Sequence, residues 1–345
     1  MTPSFDIGLL EPLLKRAEET HSDAVVVMHE GELVGTWRFG KPRQLIQTMS
    51  VTKSIVNLAI GRLITKGLLL TSIDEPVHTF YPEWKQGRKK NITIRHIMNH
   101  MSGLQNEPRA DIEIYPSPDF VQLALCAELA HEPGARLVYN NKAVNLLTGI
   151  VERVCGQKLD VLMDEDIFVP LGIEQFEWEK DSVGNPHAMA GLELFPEDLA
   201  KLGQLVLNRG KWGNEQVIDA SWFDLVESQN FGEIGLLWWL VYDVTITVND
   251  THVRNLQEAN VSEEVVRKLE TLEGEHALGS FHSAFQNMFG ASWGEVRESL
   301  ADVKYRNVAF GEFRGYRAEG YLGQHLYVFP KENLVFVRMI GDTSY

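Results

Sequence analysis

The sequence predicts an α+β fold: an antiparallel sheet flanked by helices, a mostly helical domain and a helical insertion. Two β-rich runs, 24–29 and 33–39, are separated by Glu30-Gly31-Glu32, which is a hairpin pattern. The pattern returns near the other end, where 325–329 and 334–340 flank Pro330-Lys331-Glu332-Asn333. Between the two hairpins most segments carry helical spacing. Hairpins so far apart in the chain imply one sheet assembled from both ends.

Each element follows from local pattern. Residues 7–21 read as an amphipathic helix leading into the first hairpin. Residues 50–67 read as a helix that stops at Gly67, and 93–101, 118–130, 141–155 and 159–168 as further helices. Pro196-Glu197-Asp198 opens another, with proline suited to the first turn and the acids facing the positive helix end; it runs to about Asn208. Residues 238–248 are a strand candidate. The segment 244–311 is expected to be a helical insertion built from 263–273, 280–289 and 293–303, with Ser292 and Glu295 spaced as a capping box. Its aromatic residues Phe281, Phe285, Phe289 and Trp293 form either a lid over a pocket or the core of a self-packed decoration. The expected division is a sheet domain of 1–75, 191–243 and 312–345, a helical domain of 76–190, and the insertion.

Composition narrows the function. The 345 residues are 44% hydrophobic and 23% charged, as in an ordinary globular chain long enough to bury its own core. With 32 basic and 48 acidic residues the formal net charge is −16, which speaks against nucleic acid and anionic membranes as partners. Cys126 and Cys155 are expected to be buried free thiols in a reducing compartment. The first residues lack a basic stretch followed by an apolar one, and the longest apolar run, near 234–242, falls short of the about 20 residues that span a bilayer. These features lead to the expectation of a soluble, cytoplasmic protein.

Three segments carry candidate chemistry. Ser50-Val51-Thr52-Lys53 places a hydroxyl and an amine on one helix face. Serine needs a base to become a nucleophile, and a lysine whose pKa is lowered by burial can serve. The apolar run from Ile55 to Ile60 supplies that burial, whereas the plain alternative is a helix start with an exposed lysine. Tyr139-Asn140-Asn141 follows the turn at Pro133-Gly134. A tyrosine beside an ammonium can relay a proton, and Asn141 can hold the lysine or a substrate amide. The same pattern recurs at Tyr305-Arg306-Asn307 inside the insertion, where it is taken as a chance match. Residues 317–324, Arg-Ala-Glu-Gly-Tyr-Leu-Gly-Gln, precede a strand; glycine there allows close approach of a substrate backbone, and the amides can donate to an oxyanion.

Together these segments resemble the serine hydrolases that include class C β-lactamases, D-Ala-D-Ala carboxypeptidases and related esterases and amidases. The flanks agree. His100-Met101-Ser102-Gly103-Leu104 is similar to the family's H-x-S-G-L loop; Gly191-Leu192 with 198–204, Asp-Leu-Ala-Lys-Leu-Gly-Gln, resembles its G-L…D-L-A-K-x-G-Q helix; and Gly323-Gln324 with Val328 and Pro330 resembles its last hairpin. The resemblance covers roughly 22–243 and 312–341. It implies a β-lactamase/transpeptidase-like fold in which Ser50 is acylated, Lys53 and Tyr139 share the acid–base work, and Asn141 orients them or the substrate. The backbone N–H groups of Ser50 and Tyr321 would form the oxyanion hole, and Ala318, Glu319 and Gly320 would line the substrate. No metal or organic cofactor is implied. Relatives that recognise β-lactams carry Lys-Thr-Gly or His-x-Gly at this triplet, where a cation meets the substrate carboxylate. Ala318-Glu319-Gly320 lacks that cation, and Arg317 on a strand faces away from Ala318.

Other motifs are set aside. His96 and His100 have metal-ligand spacing but no third ligand. Ser102 lacks the G-x-S-x-G elbow, and no P-loop or H-E-x-x-H pattern occurs. Trp238 and Trp239 are taken as core rather than pocket wall, and the acids from Glu258 to Glu275 as a solvated face. The expected activity is cleavage of a small ester or amide through a Ser50 acyl-enzyme. The alternatives are a β-lactamase or D-Ala-D-Ala carboxypeptidase-type penicillin-binding protein, and a non-catalytic binding protein on the same fold.

Overall fold

The two terminal hairpins do meet. A computed structural model describes residues 5–69, 73–228 and 233–341. Contacts divide the chain into one unit of Met1–Leu240 with Gly315–Tyr345 and another of Val241–Arg314, so the sheet and the 76–190 helical region fall in the same unit. In the first unit the 315–320 stretch of the Asn307–Gly320 strand, then Gln324–Phe329, Leu334–Met339, Ala24–His29 and Glu32–Trp37 form an antiparallel sheet in that order. The closing register sets Val26 opposite Val337, and Val337 opposite Leu326. Strand alternation buries Leu326, Val328, Val335, Val337 and Met339. The Pro196–Leu207 helix packs on these residues. It approaches closely because Gly203 has no side chain: a Cβ there would lie 2.6 Å from Val335 Cγ1 and 2.7 Å from Leu326 Cδ1. Residues Leu10 and Ala17 of the N-terminal helical segment cover Val25 and Val27.

The Val51–Thr65 helix organises the rest of this unit. Every residue from Val51 to Gly61 is buried, so the helix is enclosed on all sides, between the Leu146–Cys155 helix and the Gln324–Phe329 strand among others. Polar groups in such a place need partners. Thr52 pairs with Thr48 (2.9 Å), Ser54 Oγ donates to the Leu237 carbonyl (2.7 Å), and Asn57 Nδ2 donates to the Leu236 carbonyl (2.7 Å) while its Oδ1 accepts from Trp222 Nε1 (3.0 Å). These bonds hold an unusual turn. Leu236 and Leu237 join Ile234–Gly235 to the Trp238–Val248 strand with φ of 49° and 75°. A two-residue hairpin with both φ positive normally uses Asn-Gly. Leucines in that conformation carry strain of order 1–3 kcal/mol each, and persist because the surroundings over-determine them. Asn99 Oδ1 adds a third tether by accepting from Leu236 N (2.9 Å).

Most expected helices form but are shorter. Residues 93–101 give Ile94–Met98, capped by Thr93 and His96 in a reciprocal box; 118–130 give Phe120–Cys126, capped by Asp119. The 141–155 helix is divided at Asn145, and 159–168 becomes Leu159–Met163 followed by a π turn at Asp164–Phe168. Cys126 ends its helix exposed, not buried as expected, and Cys155 is half-buried.

The second unit is not all-helical. Its helices Asp250–Glu258, Glu263–Glu270, Leu278–Phe289 and Trp293–Ser299 accompany strands, because Gly274–Ala277 pairs antiparallel with 245–248. That short polar strand has no β-branched or aromatic residue to announce it. Phe281, Phe285 and Phe289 are buried with Val244, Ile246, Leu256 and Leu269, with Trp293 packed against them. They pack as this unit's own core. The expected capping box at Ser292 does not form either. Ser292 ends a 3-10 turn with nearly helical backbone, and its hydroxyl donates back to the Phe289 carbonyl (2.8 Å).

Asn57→Ala would leave the Leu236 carbonyl and the Trp222 N–H unpartnered inside the core. The expected loss of unfolding free energy is about 2–4 kcal/mol, read by urea denaturation. A loss below about 0.5 kcal/mol, the scale of an ordinary surface substitution, would show that the strained turn does not depend on this residue.

Candidate active site

The first turn of the buried helix brings Ser50 and Lys53 together. The chain enters it through Met49 at φ 51°, and Ser50 takes the N-cap position, at the positive end of the helix. Lys53 Nζ donates to Ser50 Oγ at 3.0 Å and to the Met189 carbonyl at 2.8 Å. The residue is 3% exposed and has no carboxylate partner in these contacts. Burial therefore disfavours its charged form and pushes the ammonium down from its ordinary range to about 7.

Tyr139 completes the group. Its ring centre lies 4.8 Å from Lys53 Nζ and its hydroxyl is hydrogen-bonded to Ser50, while burial raises the phenol pKa and keeps it protonated at neutral pH. The neighbouring residues fix its position. Asn140 Oδ1 accepts from Ala143 N (2.9 Å) and its Nδ2 donates to the Leu104 carbonyl (2.9 Å), which ties the tyrosine segment to the 100–104 loop. His100, at φ 55°, packs its ring 4.5 Å from that of Tyr139 and accepts from Asn140 N at Nδ1 (3.2 Å). Burial holds His100 down to about 3, so it is neutral, with its remaining proton on Nε2.

The strand side is set by Gly320. A Cβ there would lie 2.7 Å from the Thr48 carbonyl oxygen and 2.9 Å from Met49 Cβ, so the strand end presses against the backbone that leads into Ser50. Tyr321 begins the tight turn that follows, with its side chain exposed. Glu319 lines the same cleft as Ser50, Lys53, Tyr139 and His100, whereas Ala318 is buried and does not line it. Arg317 lies cross-strand from Tyr327 and Glu319 cross-strand from His325, so Arg317 shares the face of Glu319 and is turned from Ala318.

Several residues stand elsewhere than the sequence suggested, or were missed. Asn141 is not among the partners of Lys53, and its buried Oδ1 is unpartnered. The second acceptor for Lys53 is the Met189 carbonyl, held in place by Asn145, whose Oδ1 accepts from Ala188 N (2.9 Å) and Met189 N (3.1 Å). A backbone carbonyl leaves no signature in sequence; Asn145, a polar residue amid an apolar helix pattern, was the available signal. Trp238 and Trp239 do both jobs: Trp238 is buried against Tyr316, and both line the cleft. His96 is used as a helix cap, and among the described residues no group of three or more His, Cys, Asp or Glu is placed to hold a metal. Tyr305 is buried in the core of the 241–314 unit. No helix among the described residues is long and apolar enough to cross a membrane.

Comparison with known proteins bears on the family and the fold. The chain is 30% identical over 156 residues to the esterase EstB of Burkholderia gladioli, covering 39% of each protein. It is 23% identical over 252 residues to a D-aminopeptidase of Brucella anthropi, covering 66% of this chain and 46% of that one. The matches thus span less than half the length of these curated relatives. Among solved structures, the octameric penicillin-binding protein homologue from Pyrococcus abyssi superposes with a TM-score of 0.65 at 17% identity, over 99% of this chain and 74% of that one, which shows the shared fold. A serine and a lysine one turn apart on a buried helix, a tyrosine above them, and a sheet strand alongside are accompanied by a match to the β-lactamase family model over residues 10–343, and the chain belongs to that family.

Proposed function

We propose that this protein is a serine hydrolase that cleaves a small ester or amide through an acyl-enzyme on Ser50. The observation that carries it is the 3.0 Å contact between Ser50 Oγ and a lysine amine that burial alone holds near neutrality. At neutral pH a substantial fraction of Lys53 is the free amine and can take the Ser50 proton as the oxygen attacks the carbonyl. Tyr139 is protonated and contacts the same oxygen, so its part is to pass a proton toward the leaving group rather than to start as the base. The Ser50 N–H at the helix start and the Tyr321 N–H at the strand end are the proposed oxyanion donors. The close packing of Gly320 on Thr48 and Met49 supports that pairing. Water then attacks the acyl carbon, and the proton it loses returns to Ser50 through the same groups.

Glu319, the one carboxylate lining the cleft among the described residues, favours an esterase or amidase over β-lactam recognition, because a substrate carboxylate would meet like charge. Fluorophosphonate should add to Ser50 in the folded protein, with neither stable penicilloyl attachment nor penicillin turnover. Stable attachment would identify a penicillin-binding protein, and no adduct with either reagent a non-catalytic one. Ser50→Ala should abolish labelling, and retention of the adduct would place the nucleophile elsewhere. Lys53→Ala should slow acylation at least ~10²-fold. In the wild type the labelling rate should climb about tenfold per pH unit below about 7 and level off above it, because only the neutral amine accepts the proton. A rate independent of pH between 5 and 9 would remove Lys53 from proton transfer.

A further inference from the structure

We infer, building on the hydrolase reading, that the cleft selects a substrate carrying an ammonium group, held by the Glu319 carboxylate beside the indole of Trp239. Glu319 and both tryptophans line the cleft that holds Ser50. The carboxylate has unspent capacity. Its contacts are Tyr327, whose hydroxyl donates at 3.3 Å, Arg317 Nε at 3.6 Å and His325 Nδ1 at 3.7 Å, and all three are to Oε1. Oε2 takes part in none of them. Charge-assisted bonds of full strength are about 2.7–2.9 Å, so even Oε1 is loosely engaged.

The charge around Glu319 is not balanced. Arg317 is shared, with Nη2 3.8 Å from Glu233 Oε2, so two carboxylates face one guanidinium. Burial lowers the His325 pKa, which leaves that imidazole neutral and unable to offset the deficit. Lys53, which lines the cleft with His100, directs its amine to Ser50 Oγ and the Met189 carbonyl and not to Glu319. The negative charge is therefore available to a ligand. The half-buried Trp239 suits the same ligand, because indole faces attract cations. Trp239 already has the Arg317 guanidinium 5.8 Å from its ring centre.

Two ester series test this, one for each side of the scissile bond. The first is p-nitrophenyl pentanoate, its 5-trimethylammonio analogue and the p-nitrophenyl half-ester of glutarate. The second is butyrylthiocholine and its uncharged carbon isostere, 3,3-dimethylbutyl thiobutyrate. In wild-type protein the cationic member of at least one series should exceed the neutral member by about 10-fold or more in kcat/KM. The glutarate half-ester should fall below pentanoate, and the cationic preference should shrink with added salt. In Glu319→Gln the cationic-to-neutral ratio should approach one. Equal ratios in wild type, or a cationic preference that survives Glu319→Gln, overturn the inference. If Ser50 is labelled by fluorophosphonate while the ratios are equal, the hydrolase reading stands and only the ammonium site falls. If no ester turns over and Ser50 is not labelled, both fall. The salt dependence and ratios of the wild type decide the matter even if the variant does not fold.

Discussion

The desolvation of one amine is the constraint on which the rest of the site depends. Lys53 lies on a helix buried on every side, within reach of the Ser50 hydroxyl and one backbone carbonyl. Had the helix been amphipathic, its lysine would have reached water and stayed an ammonium. Enclosure by the sheet and the surrounding helices lowers the amine's pKa toward neutrality, as the proposed base requires, and the cost of burying it is carried by the packing of Ile55, Val56, Leu58, Ala59 and Ile60 next to it. The same enclosure keeps His100 neutral, so the cleft holds little fixed positive charge.

A buried amine keeps one geometry only where its surroundings fix it, and two backbone segments accept strain beside it. Met49 is left-handed just before Ser50, and Leu236 and Leu237 are left-handed in the turn that forms one wall of the cleft. Ser54, Asn57 and Asn99 anchor that turn through buried hydrogen bonds, and two of these residues lie on the nucleophile's own helix. The helix thus holds both the reacting groups and the wall they face. Gly320 contributes from the opposite side, where the absence of a side chain lets the strand end meet the backbone before Ser50.

Much of this was legible in the chain. The two hairpins, the helix after Ser50 and the Pro196 start are local events, written in alternation, turn residues and capping, and they appear where expected. The pairing of S-x-x-K with Tyr139 was legible through the resemblance, because motif order constrains which distant segments meet. Less legible were elements whose stability comes from neighbours: the polar Gly274–Ala277 strand, the early ends of several helices, and the Leu236-Leu237 turn, which contradicts local propensity. The second unit's aromatics left a lid and a self-packed core both open in the sequence, and their burial together comes from contacts within the unit.

The sequence by itself determined the residue types, their order and the faces of the helices and strands, because periodicity and turn chemistry are properties of a few adjacent residues. It thereby determined that Ser50 and Lys53 share a face. Only the tertiary structure decided that burial lowers the Lys53 pKa to about 7, that Met189 rather than Asn141 is its second partner, and that Glu319 faces the cleft while Ala318 turns away. Those outcomes depend on solvent exclusion and on contacts between segments more than a hundred residues apart, and neither is encoded at any single position.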